Sequence, residues 1–354
     1  MMARLEEICA INMGQSPDSS TYNEDGNGLP FFQGNADFGE IYPAVRMWCS
    51  EPTKITREKD ILISVRAPIG ALNIANCECC IGRGLAALTV NEDICAQEYL
   101  WHALSGKVDE LNSKGTGSTF KAINKKTLSE TEIPLPPIDE QRKIAAVLDK
   151  VSGLIAKRRQ QLDKLDEAVK ARFVEMFGDC YTNPHNLPIE KWNNIFSTTT
   201  GKLDSNAAVE NGKYPFFTCS KETLRINTYA FDQEALLLAG NNAAGKYDVK
   251  YYCGKFNAYQ RTYVLSLKHD WSYALFRFQL EDKLGYLEQQ SLGGLTKYLT
   301  LKILNELEFI VPPKEEQDKF AAFVDQIEKT KTTVSHSLEK LETLKKALMQ
   351  EYFG

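Results

Sequence analysis

The stretch "LPPIDEQRKIAAVLDK" at 135–150 recurs as "VPPKEEQDKFAAFVDQ" at 311–326. The prolines, the glutamine, the alanine pair and an aspartate all recur at one spacing, 176 residues (311 − 135 = 176). The spacing holds until "EMFG" closes the first copy and "EYFG" closes the second. A period this long indicates a duplicated domain, because solenoid repeats run to roughly 20–50 residues. The chain therefore consists of two copies of one unit, 1–178 and 179–354.

A seven-residue apolar period follows each proline pair, and it is typical of a coiled coil. Acidic residues after the prolines suit the positive end of a helix, and Gly178 and Gly354 stand where each helix should stop. We expect long helices in 135–178 and 311–354, each on the order of 55 Å at about 1.5 Å per residue. If a pseudo-twofold axis relates the copies, these helices run antiparallel. The predicted seam residues are Ile144, Leu148, Val151, Ile155, Leu162, Leu165, Val169, Phe320, Val324, Ile327, Val334, Leu338, Leu341 and Leu348.

The segments before the helices, 1–134 and 179–310, alternate short apolar stretches with Gly- and Asn-rich loops. "DILISV" (60–65) and "EALLLA" (234–239) predict strands, and "QEYLWHALSG" (97–106) predicts a helix. The sequence thus predicts an α+β protein: two mixed α/β heads separated by two long antiparallel coiled-coil helices, with a pseudo-twofold internal repeat. A shared frame with different loops suggests one task performed on two different targets.

Charge and composition limit which binding partners and which cellular compartment we expect. The net charge is −5, which taken alone argues against nucleic acid, but 113–126 holds four lysines and no acid. A solvated surface explains any single charged run as simply as a binding face does. Neither a signal peptide nor an apolar run of about 20 residues is present, so we expect a cytoplasmic protein without a membrane partner. The cluster "NCECC" among nine cysteines predicts buried or idle thiols rather than a metal site.

Catalytic patterns are weak. "GNNAAGKY" (240–247) approaches a phosphate-binding loop, but Tyr247 replaces the Ser or Thr that would hold Mg²⁺. The residues that follow it predict a strand, whereas such a loop should open a helix. Four scattered histidines show no metal spacing, no nucleophile elbow occurs, and "NPHN" (183–186) only approximates the motif of amino-methylating enzymes. We therefore expect a recognition protein without an active site.

With both helix entrances, "GSTFKAI" (117–123), "CCIGRGLAAL" (79–88) and "GKFNAYQRTYVL" (254–265), the sequence resembles the specificity subunit of type I restriction-modification enzymes. The second copy departs from the pattern, because it has "LGGLTKYLT" (292–300) where the first copy has "GSTFKAI". The resemblance implies that each head is a target recognition domain for a few base pairs, and that the helices set the spacing of two half-sites. The implied domains are recognition domain 1 (1–134), a central spacer helix (135–178), recognition domain 2 (179–310) and a C-terminal spacer helix (311–354).

The resemblance also implies partners. These are double-stranded DNA, two methyltransferase subunits that bring S-adenosylmethionine, and restriction subunits that bring ATP and Mg²⁺. None of that chemistry would belong to this chain, which is expected to be no enzyme and to hold no cofactor or metal. Two alternatives stay open: a coiled-coil scaffold whose heads bind something other than DNA, and a self-sufficient methyltransferase.

Side chains with paired donors and acceptors are the ones that read base edges, and lysines suit phosphates. For any single residue, a phosphate contact or a plain surface role competes with base reading. The DNA-contact candidates are Arg66, Arg83, Lys114, Thr119 and Lys121 in the first head, and Asn241, Asn242, Lys246, Gln260, Arg261, Lys297 and Tyr298 in the second.

Overall fold

The computed structural model describes residues 1–117, 121–242 and 245–354. They form two compact units, Met1–Arg159 with His336–Gly354, and Gln160–Ser335. The strands are β1 (Met2–Arg4), β2 (Cys9–Met13), β3 (Tyr22–Asn23), β4 (Leu29–Phe32), β5 (Trp48–Cys49), β6 (Ile55–Thr56), β7 (Ile61–Ser64), β8 (Leu72–Ile74), β9 (Cys79–Ile81), β10 (Leu85–Val90), β11 (Glu132–Pro134), β12 (Ile189–Lys191), β13 (Phe196–Thr200), β14 (Tyr214–Phe217), β15 (Leu224–Ile226), β16 (Phe231–Ala239), β17 (Asn241–Asn242), β18 (Val249–Ala258), β19 (Thr262–Leu267), β20 (Lys297–Tyr298) and β21 (Glu308–Ile310). The helices are α1 (Leu5–Ile8), α2 (Gln97–Ser105), α3 (Val108–Lys114), α4 (Lys125–Ser129), α5 (Ile138–Phe177), α6 (Trp192–Ile195), α7 (Tyr273–Asp282), α8 (Leu284–Gln290), α9 (Leu301–Asn305) and α10 (Lys314–Phe353).

The first unit contains an antiparallel sheet in the order β2-β10-β7-β8, a mixed sheet in the order β3-β5-β4-β9-β6, and the pair β1–β11. Side chains of β7 alternate between two cores: Ile61 and Ile63 pack in the cluster that holds α2, whereas Leu62 packs with Phe32. Both faces of this strand are buried, so its sequence is continuously apolar instead of alternating.

The second unit repeats this logic in a six-stranded sheet ordered β13-β19-β16-β18-β14-β15, with the pairs β12–β21 and β17–β20 beside it. Leu236 and Leu238 of β16 face the cluster that holds α7, and Ala235 and Leu237 face the opposite core. The strands and the helix predicted from "DILISV", "EALLLA" and "QEYLWHALSG" are confirmed. The mixed α/β character of both heads is confirmed with them.

The two long helices, α5 and α10, each contain 40 residues, roughly 60 Å at 1.5 Å per residue. They end at Phe177 and Phe353, immediately before the predicted stop residues Gly178 and Gly354. Gly178 adopts a φ of 75°, the left-handed conformation that ends helices and that glycine enters without a steric penalty. Among the described helices, none combines the length and apolarity that a membrane crossing requires.

In the first unit, α5 and the last part of α10 are antiparallel. Phe353, at the end of α10, shares a core with Ile144 and Leu148 near the start of α5. Further along α5, Arg159 lies 2.7 Å from the Glu342 carboxylate. Later residues of α5 therefore contact earlier residues of α10, which is the arrangement of antiparallel helices. The contacts join the two copies of the repeat inside one compact unit.

The second unit shows the same antiparallel order with the roles exchanged. The Asp166 carboxylate lies 2.8 Å from the Lys331 ammonium, and the rings of Phe173 and Phe177 lie 5.6 and 5.7 Å from that of Phe320. All fourteen predicted seam residues are buried or half-buried in their own unit.

The repeated glutamine explains why the same helix entrance occurs twice. The side-chain oxygen of Gln141 accepts a 2.9 Å hydrogen bond from the backbone N–H of Ala96, the residue that precedes α2. Gln317 accepts an equal bond from the N–H of Ser272, which precedes α7. In both cases the side-chain nitrogen donates to the carbonyl of the first proline of the pair, five residues earlier. One buried amide thus fastens each long helix to the first turn of a head helix.

Candidate nucleic-acid interface

Two arginines of the first head lie at one end of the four-stranded sheet, where β7 ends and β10 begins. We call this end of the strands the edge of the first head. Arg66 follows β7 and Arg83 precedes β10, and these two strands are antiparallel neighbours. The N–H of Val65 donates to the carbonyl of Gly84 at 2.9 Å, which fixes the two backbone segments side by side. Both arginines are exposed, so two guanidinium groups are available at this edge.

Thr116 and Ala122 join this edge, and we call the segment between them the first tip loop (116–122), of which 118–120 lie outside the described residues. Thr116 and Ala122 exchange two backbone hydrogen bonds of 3.0 and 2.9 Å, and Arg66 forms a β-bridge with Ala122. The N–H of Ala67 donates to the carbonyl of Lys121 at 3.1 Å. The structure therefore places Lys121 beside Arg66. Thr119, also a predicted contact residue, lies outside the described residues.

The charge of Lys114 is already paired with a carboxylate. Its ammonium lies 2.6 Å from the Glu110 carboxylate, which also binds Lys107 at 2.8 Å. Hydrogen bonds from these two lysines lower the pKa of the Glu110 carboxyl group. A phosphate would have to compete with this carboxylate for Lys114.

The second head has an equivalent edge. Strand β17 pairs with β20, so that Asn241 lies opposite Tyr298 and Asn242 opposite Lys297. Leu292 and Tyr298 exchange backbone hydrogen bonds of 3.0 and 2.8 Å and close the second tip loop, 292–298. The N–H of Gly240 donates to the carbonyl of Arg261 at 2.8 Å, which brings the start of β19 to the same edge.

The remaining second-head candidates lie around this edge and differ in burial. Gln260 is exposed, and its amide nitrogen donates to the Asp204 carboxylate at 2.6 Å. Lys297 is half-buried, with its aliphatic chain against Gly245, whereas Lys246 is exposed. The edge therefore combines a hydrogen-bonded amide group with one half-buried and one exposed lysine.

The two edges share a backbone and differ in chemistry. The position bridged to the tip loop carries Arg66 in the first head and Asn241 in the second. A guanidinium matches the two acceptors of guanine in the major groove, and an asparagine amide matches the acceptor and donor of adenine. The tip-loop partner is Ala122 in one head and Tyr298 in the other. The same frame thus presents different hydrogen-bonding groups.

Sequence reasoning missed Leu295, in the middle of the second tip loop. Its side chain is 96% exposed. It stands 176 residues after Thr119, so the repeat spacing was the signal that could have identified it (295 − 119 = 176).

The structure bears on two motifs, the "GNNAAGKY" stretch and the "NCECC" cluster. After "GNNAAGKY" the chain continues as strand β18, as predicted, and not as the helix that a phosphate-binding loop would open. Ala243 and Ala244 of that stretch lie outside the described residues. In the "NCECC" cluster, Cys79 and Cys80 are fully buried, and burial raises the pKa of both thiols.

Comparison with known proteins connects this geometry to a family. The family model described as type I restriction modification DNA specificity domain matches residues 1–166 and 191–343. These two stretches account for most of the chain and fall one in each copy of the repeat. The chain belongs to this family. The resemblance to specificity subunits of type I restriction-modification enzymes is therefore confirmed.

Individual members of the family are similar over limited stretches. A putative type I restriction enzyme specificity subunit of Methanocaldococcus jannaschii is 44% identical over 165 residues, 47% of this chain and 39% of that protein. A type I restriction enzyme specificity subunit of Escherichia coli is 35% identical over 162 residues, 44% of this chain and 35% of that protein. Less than half of each relative's length is thus matched.

A solved structure matches the whole fold. The S subunit of a type I restriction-modification system from M. genitalium aligns with a TM-score of 0.66 over 100% of this chain and 96% of that one, at 16% identity. At this identity the match shows the fold of a specificity subunit and nothing about individual contacts. The DNA-contact residues and the domain boundaries stay predictions.

Proposed function

We propose that this chain is the DNA-recognition subunit of a type I restriction-modification complex. It reads a bipartite, asymmetric site in double-stranded DNA, with one half-site for each head. The observation that carries the proposal is the pair of equivalent edges, in which one backbone arrangement presents Arg66 in the first head and Asn241 in the second. Two identical half-sites would not need different base-reading groups.

Each edge offers both kinds of contact that DNA recognition requires. Lys121 and Lys246 are exposed lysines beside their edges and suit phosphate oxygens, which position a protein on the duplex. Arg66, Arg83 and Asn241 carry groups that can pair with base edges. The net charge of −5 does not oppose this assignment, because binding depends on the charge near the groove.

The long helices serve as the spacer between the half-sites. At roughly 60 Å, a 40-residue helix is long compared with the 34–36 Å of one DNA turn. The antiparallel contacts inside each unit support a paired rod, the predicted coiled coil with pseudo-twofold symmetry. In this account the recognised gap depends on helix length.

The methyltransferase subunits dock on the helices. Val147 and Leu154 of α5 are exposed although they are apolar, and they lie one heptad apart on one face of the helix. Leu344 of α10, in the same unit, is exposed as well. Apolar residues outside the buried seam suit a protein partner.

The chemistry belongs to the partners. Two methyltransferase subunits supply S-adenosylmethionine for adenine methylation, restriction subunits supply ATP-driven cleavage with Mg²⁺, and this chain binds none of these cofactors. The complex acts in the cytoplasm, where it meets host and incoming DNA.

Salt dependence tests the proposal. The full chain with its methyltransferase subunits should bind a split DNA site, and its affinity should fall steeply as salt rises, because bound lysines release counterions from phosphates. Absent or salt-insensitive DNA binding would favour the scaffold alternative. Binding of S-adenosylmethionine by the chain alone would favour the methyltransferase alternative.

A further inference from the structure

Among the residues that the structure describes, Leu295 has the most exposed large apolar side chain, marginally ahead of the terminal Met1 at 95%. Leu295 is 96% exposed, whereas Tyr181, the next that is not at the chain terminus, is 61% exposed. Single exposed apolar residues are common on protein surfaces, but they usually keep part of their area against neighbours. Leu295 has almost no contact with the rest of the protein, so the fold does not need a leucine there.

The loop that carries Leu295 has a defined backbone. The two hydrogen bonds between Leu292 and Tyr298 close it at the base. Gly293 has a φ of 104°, which favours glycine, and a Cβ at this position would collide with the carbonyl oxygen of Thr296. The stretch 291–302 contains no acidic residue. The loop therefore presents Leu295 at its tip without a charge that would repel DNA.

The strand pair at the base of this tip supplies polar groups. Asn241 and Lys297 lie in the strand pair at its base, and Tyr298 is partly exposed beside them. These side chains can donate and accept hydrogen bonds, which Leu295 cannot do. The apolar group that DNA displays in its major groove is the C5 methyl of thymine, and side-chain methyl groups contact it.

We propose that Leu295 reads the C5 methyl of one thymine in the half-site bound by the second head. This assignment rests on the proposed function, and it adds an apolar contact to the polar edge. The equivalent position in the first copy is Thr119, which also ends in a methyl group.

Deoxyuridine substitution tests this contact directly, because deoxyuridine pairs like thymidine but lacks the methyl. Each thymine of the recognised site is replaced in turn, and affinity is measured for the full complex with methyltransferase subunits. Wild-type complex should lose about fourfold in affinity at one thymine, the effect of removing one buried methyl group. Leu295→Ala should bind the thymine and deoxyuridine forms of that position equally.

Leu301→Ala is the matched control, because Leu301 is also an exposed leucine, six residues further on. It should keep the wild-type response to deoxyuridine. Unchanged thermal unfolding of Leu295→Ala, expected since the side chain packs on nothing, excludes a folding defect.

Three outcomes would overturn the inference. One is a Leu295→Ala complex that binds with wild-type affinity and keeps every deoxyuridine effect of the wild type. Another is a wild-type complex without any sensitive thymine. The third is a variant that binds all sites more weakly with an unaltered deoxyuridine pattern, which would indicate a wedge between base pairs. Failure of the proposed function is distinguishable, because the wild-type complex would then prefer no site at all.

Discussion

Replacing Gln141 by alanine tests how the long helix is fastened to the first head. The glutamine side chain is fully buried. It accepts from the N–H of Ala96 and donates to the carbonyls of Ile94 and Pro136, at 2.9, 3.1 and 2.8 Å. Alanine removes all three bonds and leaves these backbone groups without that partner, the N–H of Ala96 in a buried position and the two carbonyls in part-buried ones.

The loss should be large for a single polar substitution. An intramolecular hydrogen bond contributes about 1 kcal/mol net, and an unsatisfied buried group costs about 1–3 kcal/mol. The loss of three bonds should cost about 3 kcal/mol. The equilibrium constant for local opening of α2 should therefore be on the order of a hundredfold larger in Gln141→Ala than in the wild type. Gln317 makes two such bonds, to Ser272 and Pro312, so Gln317→Ala should cost about 2 kcal/mol, roughly thirtyfold, in α7.

Hydrogen–deuterium exchange with mass spectrometry measures this effect in the full chain. In Gln141→Ala the peptide that contains α2 should lose protection while the peptide of α7 keeps it, and Gln317→Ala should show the reverse. Gln160→Ala, at an exposed position of the same helix α5, is the control and should change neither peptide. If Gln141→Ala protects α2 as well as Gln160→Ala does, the buried amide does not anchor the helix.

Three further outcomes follow from the structure. Val147→Glu with Leu154→Glu should leave circular dichroism unchanged but abolish co-purification with methyltransferase subunits, and retained co-purification would contradict docking on that face. Deleting one heptad from α5 should alter the tolerated gap between half-sites or abolish DNA binding, and an unaltered gap preference would exclude the spacer role. Burial lowers the pKa of His102 despite the Asp149 carboxylate 2.7 Å away. The unfolded state therefore binds more protons below about pH 6.5, and the free energy of unfolding should fall there by at most about 1.4 kcal/mol per pH unit. His102→Phe, which copies Phe278 of the second repeat, should reduce this slope in denaturant titrations, and an equal slope would show that other groups cause it.

The long helices could be predicted because their signals are local. A sustained heptad period, acidic residues after the proline pair and the glycine at the end specify a helix without reference to the rest of the chain. Gly178 illustrates this, because its left-handed φ is the property for which glycine is expected at a helix end. Apolar strands such as β7 and β16 were predictable for a similar reason.

The two edges could not be predicted as sites because their partners are distant in sequence. Asn241 meets Tyr298, and Arg66 meets Ala122, through backbone hydrogen bonds that leave no side-chain pattern. The role of Gln141 could not be predicted for the same reason. The sequence shows that this glutamine recurs in the second copy, but its partner is the backbone N–H of Ala96, which any residue other than proline could supply. The sequence could supply the candidate residues, but only the backbone pairing of distant segments shows which of them lie together.

The central claim, that each head reads its own half of a divided DNA site, is tested most directly by sequencing methylated adenines. Genomic DNA is taken from cells that produce this chain with its methyltransferase subunits, either as wild type or with Asn241→Ala and Lys297→Ala. The account predicts a bipartite, asymmetric methylated motif in the wild type, of which the variant alters or relaxes one half and leaves the other half and the gap unchanged. A continuous motif, or a variant that changes both halves or neither, would contradict it.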